Sequence, residues 1–175
     1  MTTTPSIEQI MQALCSTDLA MNKHAEQLLI DRYNDDIAAR LILLLASKDP
    51  SIRNNAALVI RRACDNRAID ALFTAIFKEE NLNQNGTLVY TLESLDCSKH
   101  LSLVFNILFY QGFEAKLSAH RILSQQEFEF TKQELSDILA RWEDIKIHNE
   151  KCPDYNGSKE MIQNSIDGFA GYLEW

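Results

Sequence analysis

Glycine and proline are scarce in this chain, 5 and 3 of its 175 residues, and strand-like alternation of apolar and polar side chains is nearly absent. With so few turn-formers and no period-two pattern, long uninterrupted helices are what the composition favours, and a β-sheet protein is excluded. No apolar run approaches a membrane span: the longest, Leu41 to Ala46, is far short of the about 20 residues that a bilayer helix needs. The opening Met-Thr-Thr-Thr-Pro-Ser has neither a basic segment nor an apolar stretch, so no secretory signal is expected. Catalytic signatures are missing too: there is no Gly-rich phosphate loop, no His-Glu-x-x-His pair and no nucleophile elbow. Cys15, Cys64, Cys97 and Cys152 lie far apart without a Cys-x-x-Cys pair, and two of them sit at helical positions that should face the interior. That pattern suits reduced structural thiols and a cytoplasmic location.

Positive charge is also in short supply. Lys and Arg number 17 against 25 Asp and Glu, a net charge of -8 and a pI of about 5.0, which argues against a protein that must neutralise many phosphates to hold DNA or RNA. The excess is uneven. Residues 1–80 carry 9 basic and 11 acidic side chains, a balance of -2, whereas residues 81–175 carry 8 and 14, a balance of -6. A cationic partner meeting the second half fits this distribution.

What the chain does have is 46% hydrophobic residues, enough for one well-buried core in one domain, 1–175. Those residues recur in a helical-hairpin unit. Ser6 to Gln9 reads as a capping box opening a first helix, with Ile7, Ile10, Met11 and Leu14 on one face. A second helix from about Asp18 to Tyr33 follows. The Asn34-Asp35-Asp36 break leads to a third, Ile37 to Ala46, apolar on most of its circumference and therefore expected to be buried on several sides. Asp49-Pro50 supplies an N-cap with proline at the first helical position for a helix to about Cys64. After Asp65-Asn66 comes its partner, Ala68 to Lys78, expected to pack on it face to face.

A shift of 32 residues lays Ala68–Phe77 over His100–Phe109 with apolar on apolar at six of ten positions, including Phe73 on Phe105 and Phe77 on Phe109. Backwards, the same shift sets Ile37 under Ile69 and Leu44 under Ile76. A further copy begins at Phe113 and resumes at a Thr131 to Glu134 capping box with Leu135, Ile138, Leu139 and Trp142. Residues 148–158 read as a polar loop, and Lys159 to Leu173 as a last amphipathic helix. Repeats of this kind cannot bury their apolar faces alone and must stack.

The unit Ile52-Arg53, Ala56-Ala57, Asp65, Arg67-Ala68-Ile69 and Ala71-Leu72 resembles a HEAT repeat. The resemblance implies an all-α, short right-handed α-solenoid of about four HEAT-like hairpins (5–147), with an N-terminal cap helix and a C-terminal loop and cap (148–175). HEAT-like solenoids act mostly as binding scaffolds, so the fold by itself assigns no chemistry.

Four constellations compete for a role. Cys97-x-x-His100, with His120 and His148 elsewhere, is a poor metal pattern and is read as part of a hairpin turn. The carboxylate pairs Glu127/Glu129 and Asp35/Asp36 fall in connections and are read as solvated. Arg53, Arg61, Arg62 and Arg67 form the one basic concentration, read as structural ion pairing. The candidate binding strip lies on the second helices, which line the concave face in solenoids of this family. Its polar members are Asp70, Thr74 and Lys78; Ser102, Asn106 and Tyr110; and Asp137, Arg141 and Asp144. Phe77 and Phe109 lie on the same ladder as aromatic anchors, unless the core claims them. The exposed end, Tyr172 to Trp175, is a further candidate contact.

Size, charge and architecture together resemble the immunity partners of bacterial toxins. They imply a non-enzymatic inhibitor that covers a basic protein such as a nuclease, without cofactor or metal and without direct binding to nucleic acid or membrane. A HEAT-like enzyme of the DNA glycosylase or lyase type, and an assembly adaptor, are the alternatives.

Overall fold

A computed structural model describes residues 5–173, and every regular element among them is helical. The ten α-helices are α1 (Ile7–Leu14), α2 (Leu19–Asp31), α3 (Asp35–Leu44), α4 (Pro50–Ala63), α5 (Ile69–Ile76), α6 (Gly86–Leu92), α7 (Leu101–Tyr110), α8 (Phe113–Gln125), α9 (Lys132–Ile147) and α10 (Tyr155–Ala170). Short 3-10 turns occur at Asn66–Ala68, Glu79–Asn81, Asn149–Lys151 and Gly171–Leu173. The all-α class expected from composition is the class adopted. No helix among the described residues is long and apolar enough to cross a membrane. The chain falls into two compact units, one ending at Asn81 and the other beginning at Leu82.

Helix starts follow local chemistry. Ser6 and Gln9 close a reciprocal capping box, Ser6 N–H donating to Gln9 Oε1 at 2.8 Å and Gln9 N–H to Ser6 Oγ at 3.3 Å. Asp49 Oδ1 accepts from Ser51 N at 2.8 Å with Pro50 at the first position of α4. Asn34-Asp35-Asp36, expected as a break, is the start of α3 itself: Asn34 caps Ile37 N at 3.0 Å, and both aspartates sit in the first turn, where the helix dipole favours negative charge. At its far end α4 closes in a Schellman arrangement. Asp65 N–H reaches back to Ile60 O at 3.4 Å around Cys64, which stands at φ 51, the left-handed position that glycine ordinarily fills.

In the first unit α4 is central, packing on α1, α2 and α3. Its buried Ala56 and Ala57, together with Ala25 on α2 and Ala38 on α3, are small enough to let these backbones approach closely. α5, expected to pack on α4, buries Ile69, Leu72, Phe73, Ala75 and Ile76. α3 is less enclosed than its sequence suggests: Ile37, Ala38 and Leu41 are buried, but Leu43 is 74% exposed.

In the second unit the central helix is α8, which packs on α6, α7 and α10, while α7 and α10 both pack on α9. Ala115, Ser118 and Ala119 give it the same small-residue surface. The stretch read as a polar loop is shorter than expected, because α10 already begins at Tyr155, and Cys152 and Ser158 within it are buried. The Thr131 capping box forms by half. Thr131 Oγ1 accepts from Glu134 N at 3.1 Å, but the Glu134 carboxylate turns away and accepts from Ser102 N at 3.2 Å, capping the start of α7, whose own N-cap residue makes no side-chain cap.

Candidate functional site

The strip residues of the first unit lie on and just beyond α5. Asp70 and Thr74 are exposed, and Thr74 Oγ1 donates to Asp70 O at 2.8 Å, a local back-bond within the helix. Thr74 and the half-buried Lys78 border a shallow depression of about 240 Å³ whose floor is Ile42, Leu45 and Ala75. Phe77 is 38% exposed and lies parallel to Phe73, ring centroids 6.3 Å apart.

In the second unit the structure joins four of the six strip residues, Ser102, Asn106, Asp137 and Arg141, into one network. Arg141 on α9 extends its guanidinium to α7, donating from Nη1 to Asn106 Oδ1 and from Nη2 to Ser102 Oγ at 2.8 Å. Its Nε donates to Asp137 O at 3.3 Å. A planar fork of five donors suits this bridging role, and it ties the two helices rigidly. Asp137 is exposed and accepts from Gln133 Nε2 at 2.9 Å. Asp144 faces its own cations, accepting from Lys151 Nζ at 2.6 Å and lying 2.9 Å from His148 Nδ1; the Lys151 hydrogen bond is what chiefly holds its carboxyl below the ordinary carboxylate range. Tyr110 is half-buried at the end of α7, edge-on to Phe109 at 5.9 Å.

Phe109, placed on the ladder as an anchor, is fully buried and belongs to the core. It stacks on Trp142 at 6.1 Å and packs on Phe105 at 5.6 Å, so a partner has no access to it. The helical period that set Phe109 beside Ser102 and Asn106 could not foresee that α9 brings Trp142 over it.

The remaining constellations resolve into structure. Arg67 donates to Asp65 from Nε at 2.9 Å and Nη2 at 2.8 Å, and from Nη1 to Asp35 at 2.9 Å. Arg62 reaches Glu26 and Gln27, both at 2.9 Å, and Arg53 is buried, donating to Ser47 O at 3.2 Å. Arg62 and Arg67 thus form ion pairs within the first unit, and Arg53 is anchored on a backbone carbonyl. Cys97 is buried, its thiol pushed up to about 12 by burial, with Asp96 adding to the effect. No group of three or more His, Cys, Asp or Glu able to hold a metal occurs among the described residues.

One feature escaped the sequence reading. An open groove of about 500 Å³ runs between the C-terminal half of α8, the 126–130 connection and α10, lined by Leu123, Phe128, Phe130, Phe169, Tyr172 and His120 among others. Phe169 is its aromatic hub, meeting Phe105, Phe128 and Phe130 edge-on at 5.5, 6.0 and 5.8 Å. At its wall His120 Nδ1 lies 2.8 Å from Ser165 Oγ, which donates its own hydrogen to Met161 O at 3.1 Å. That order of donation puts the imidazole hydrogen on Nδ1. Of the chain end expected to meet a partner, Tyr172 is 59% exposed at the groove, while Glu174 and Trp175 lie outside the described residues. Phe128 and Phe130 alternate with Glu127 and Glu129, a signal visible in the sequence only as a pair of acids.

Compared with known proteins, the chain matches no protein-family model, no curated protein and no solved structure.

Proposed function

We propose that the chain is a non-enzymatic protein-binding module of stacked HEAT-like hairpins whose acidic second half receives a basic protein, in the manner of an inhibitor of a nuclease toxin. The hairpin reading draws support from contacts that span 32 residues: Tyr33 with Asp65, Asp35 with Arg67, and Ser102 with Glu134. The sequence repeats at that same offset. Alternate helices also pack on one another within each unit, α2 on α4, α6 on α8, α8 on α10 and α7 on α9, as stacked repeats require.

The observation that carries the binding reading is the Arg141 fork. Locking α7 to α9 fixes the surface on which Tyr110 and Asp137 are presented, in the half of the chain with the net charge of -6. A rigid surface of this kind loses little entropy when a partner docks, and the negative field draws a cationic one. Asp144 is a weaker contributor, since Lys151 already answers its charge.

The test is affinity capture of the tagged protein from its own cell lysate at low and moderate salt, repeated with Asp137→Lys and Tyr110→Ala. A single basic protein, retained near stoichiometrically and lost on either substitution or on added salt, is the expected result. Recovery of nucleic acid, or retention unaffected by both substitutions, overturns the reading. An adaptor would instead bring down several subunits together. The aromatic groove with its His120–Ser165 pair favours one second reading, a small-molecule or lyase-type site; a shift of the His120 ring signals on adding aromatic ligands would support it.

A further inference from the structure

α8 carries one charged side chain on its inward face. Lys116 is 0% exposed, and burying an ammonium is costly unless its hydrogens are all received. Among the described residues none of its acceptors is a carboxylate. Nζ donates to Phe109 O at 3.3 Å, to Ser158 Oγ at 3.3 Å and to Cys152 Sγ at 2.9 Å. Phe109 O is one of the last four carbonyls of α7, which lack helical partners and stand at the negative end of the helix dipole, so part of the cation's cost is met there. Ser158 has given its own hydrogen to Asp154 O at 2.8 Å and can only accept.

The third acceptor is the unusual one. Cys152 is 3% exposed, and its sulfur is held against a primary amine contributed by a helix 36 residues earlier. Among the described residues no other cysteine shares this arrangement: the Cys97 thiol contacts Leu92 O at 3.7 Å, and that of the exposed Cys64 contacts Arg61 O at 3.5 Å. Cys152 also lies outside the α-helices, between the Asn149–Lys151 turn and Asp154, a non-glycine residue at φ 52. Opening that short connection exposes the sulfur without unfolding α8 or α10.

We propose that Cys152 and Lys116 are a covalent modification site, at which hydrogen peroxide drives formation of a sulfenamide bond between Sγ and Nζ. In the first step the sulfur attacks one peroxide oxygen. An S–O bond forms, the O–O bond breaks, and the departing hydroxide takes the thiol hydrogen and leaves as water. Cys152 is now a sulfenic acid, oxidised by two electrons, and the peroxide is reduced. Lys116 then releases one proton to solvent, and its freed lone pair attacks the sulfur. The S–N bond forms as the S–O bond breaks, and hydroxide leaves as water with a second proton from nitrogen. Sulfenic acids condense with a neighbouring nitrogen when no thiol is closer, and an amine already in contact has a large advantage over any dissolved nucleophile. The crosslink would staple α8 to the connection that leads into α10.

The experiment exposes the intact protein to hydrogen peroxide, blocks remaining thiols with iodoacetamide, digests with trypsin and maps the peptides by mass spectrometry. Expected is a joined pair, residues 100–121 with residues 152–159, uncleaved at Lys116 and about 2 Da lighter than the sum of its parts. Dithiothreitol should separate the two peptides. Cys152→Ser, which keeps a small polar group beside Nζ, should abolish the pair, and Cys64→Ser should leave it intact. Two results overturn the proposal: Cys152 recovered as an alkylated thiol under conditions that oxidise Cys64, or Cys152 recovered as sulfinic acid with Lys116 still cleaved by trypsin.

Discussion

Replacing Asp65 by Asn tests whether the first unit is held by charge as well as by packing. Asp65 is buried, and its carboxylate accepts from Arg67 through Nε and Nη2, from the Arg67 backbone N–H at 3.0 Å and from Tyr33 Oη at 2.8 Å. The Arg67 hydrogen bonds are the main reason its carboxyl falls from 3.8 to about 2; burial works against them, and Tyr33 adds to them. A drop of that size corresponds to about 2.5 kcal/mol in favour of the ionised folded state. Because the folded value lies below the unfolded one, the contribution is complete above about pH 5 and is lost as pH falls through 4 towards 2. Urea unfolding followed by far-UV circular dichroism, for wild type and Asp65→Asn between pH 6 and 2.5, should show wild type ahead by about 2 kcal/mol at pH 6 and by about a third of that at pH 2.5. A gap that stays constant over the range would mean that the substitution acts through shape or lost hydrogen bonds alone, and the electrostatic argument would fail.

Two further predictions concern backbone groups. Cys64 occupies a left-handed position at the end of α4, so Cys64→Gly should be more stable than Cys64→Ala by about 1 kcal/mol in thermal unfolding, and equal stabilities would contradict the strain argument. Gln126 works as a spacer between loops, its Oε1 accepting from Cys97 N and its Nε2 donating to Leu95 O, both at 2.9 Å. Gln126→Ala should cost about 1–3 kcal/mol in urea unfolding, because two backbone groups lose their partners at once, and a loss within experimental error would remove Gln126 from that role.

What could be read from the sequence is what depends on neighbours in the chain. Ser6 with Gln9, Asp49 with Pro50, and Thr131 all sit where their capping chemistry put them, since a cap is satisfied within three residues. Asp35 and Arg67, 32 residues apart, also meet, at the same offset at which the apolar pattern of the sequence recurs. Contacts between distant elements were not legible. Nothing near Glu134 in the chain indicates that it caps α7, or that Trp142 covers Phe109, or that Arg141 draws in Ser102 and Asn106. Lys116 looks like an ordinary solvated lysine until α7, Cys152 and Ser158 close around it.

The same distinction governs the candidate surface. A carboxylate with a neighbouring cation keeps little local attraction for a partner, and Asp144, Asp65, Asp35, Glu26 and Glu93 all have one, the last through Arg121 at 3.2 Å. Pairing inside the protein does not alter net charge, however, and the field felt by an approaching partner at separations larger than a single ion pair, out to about a Debye length, depends on the net. On the proposed reading, residues 81–175 keep their balance of -6 for steering a basic partner, and local anchoring would fall to groups such as Asp137 and Tyr110. On this account salt should slow association with a basic partner strongly, Asp144→Asn should change affinity little, Asp137→Lys should slow association as well as weaken the complex, and Tyr110→Ala should act mainly by speeding dissociation.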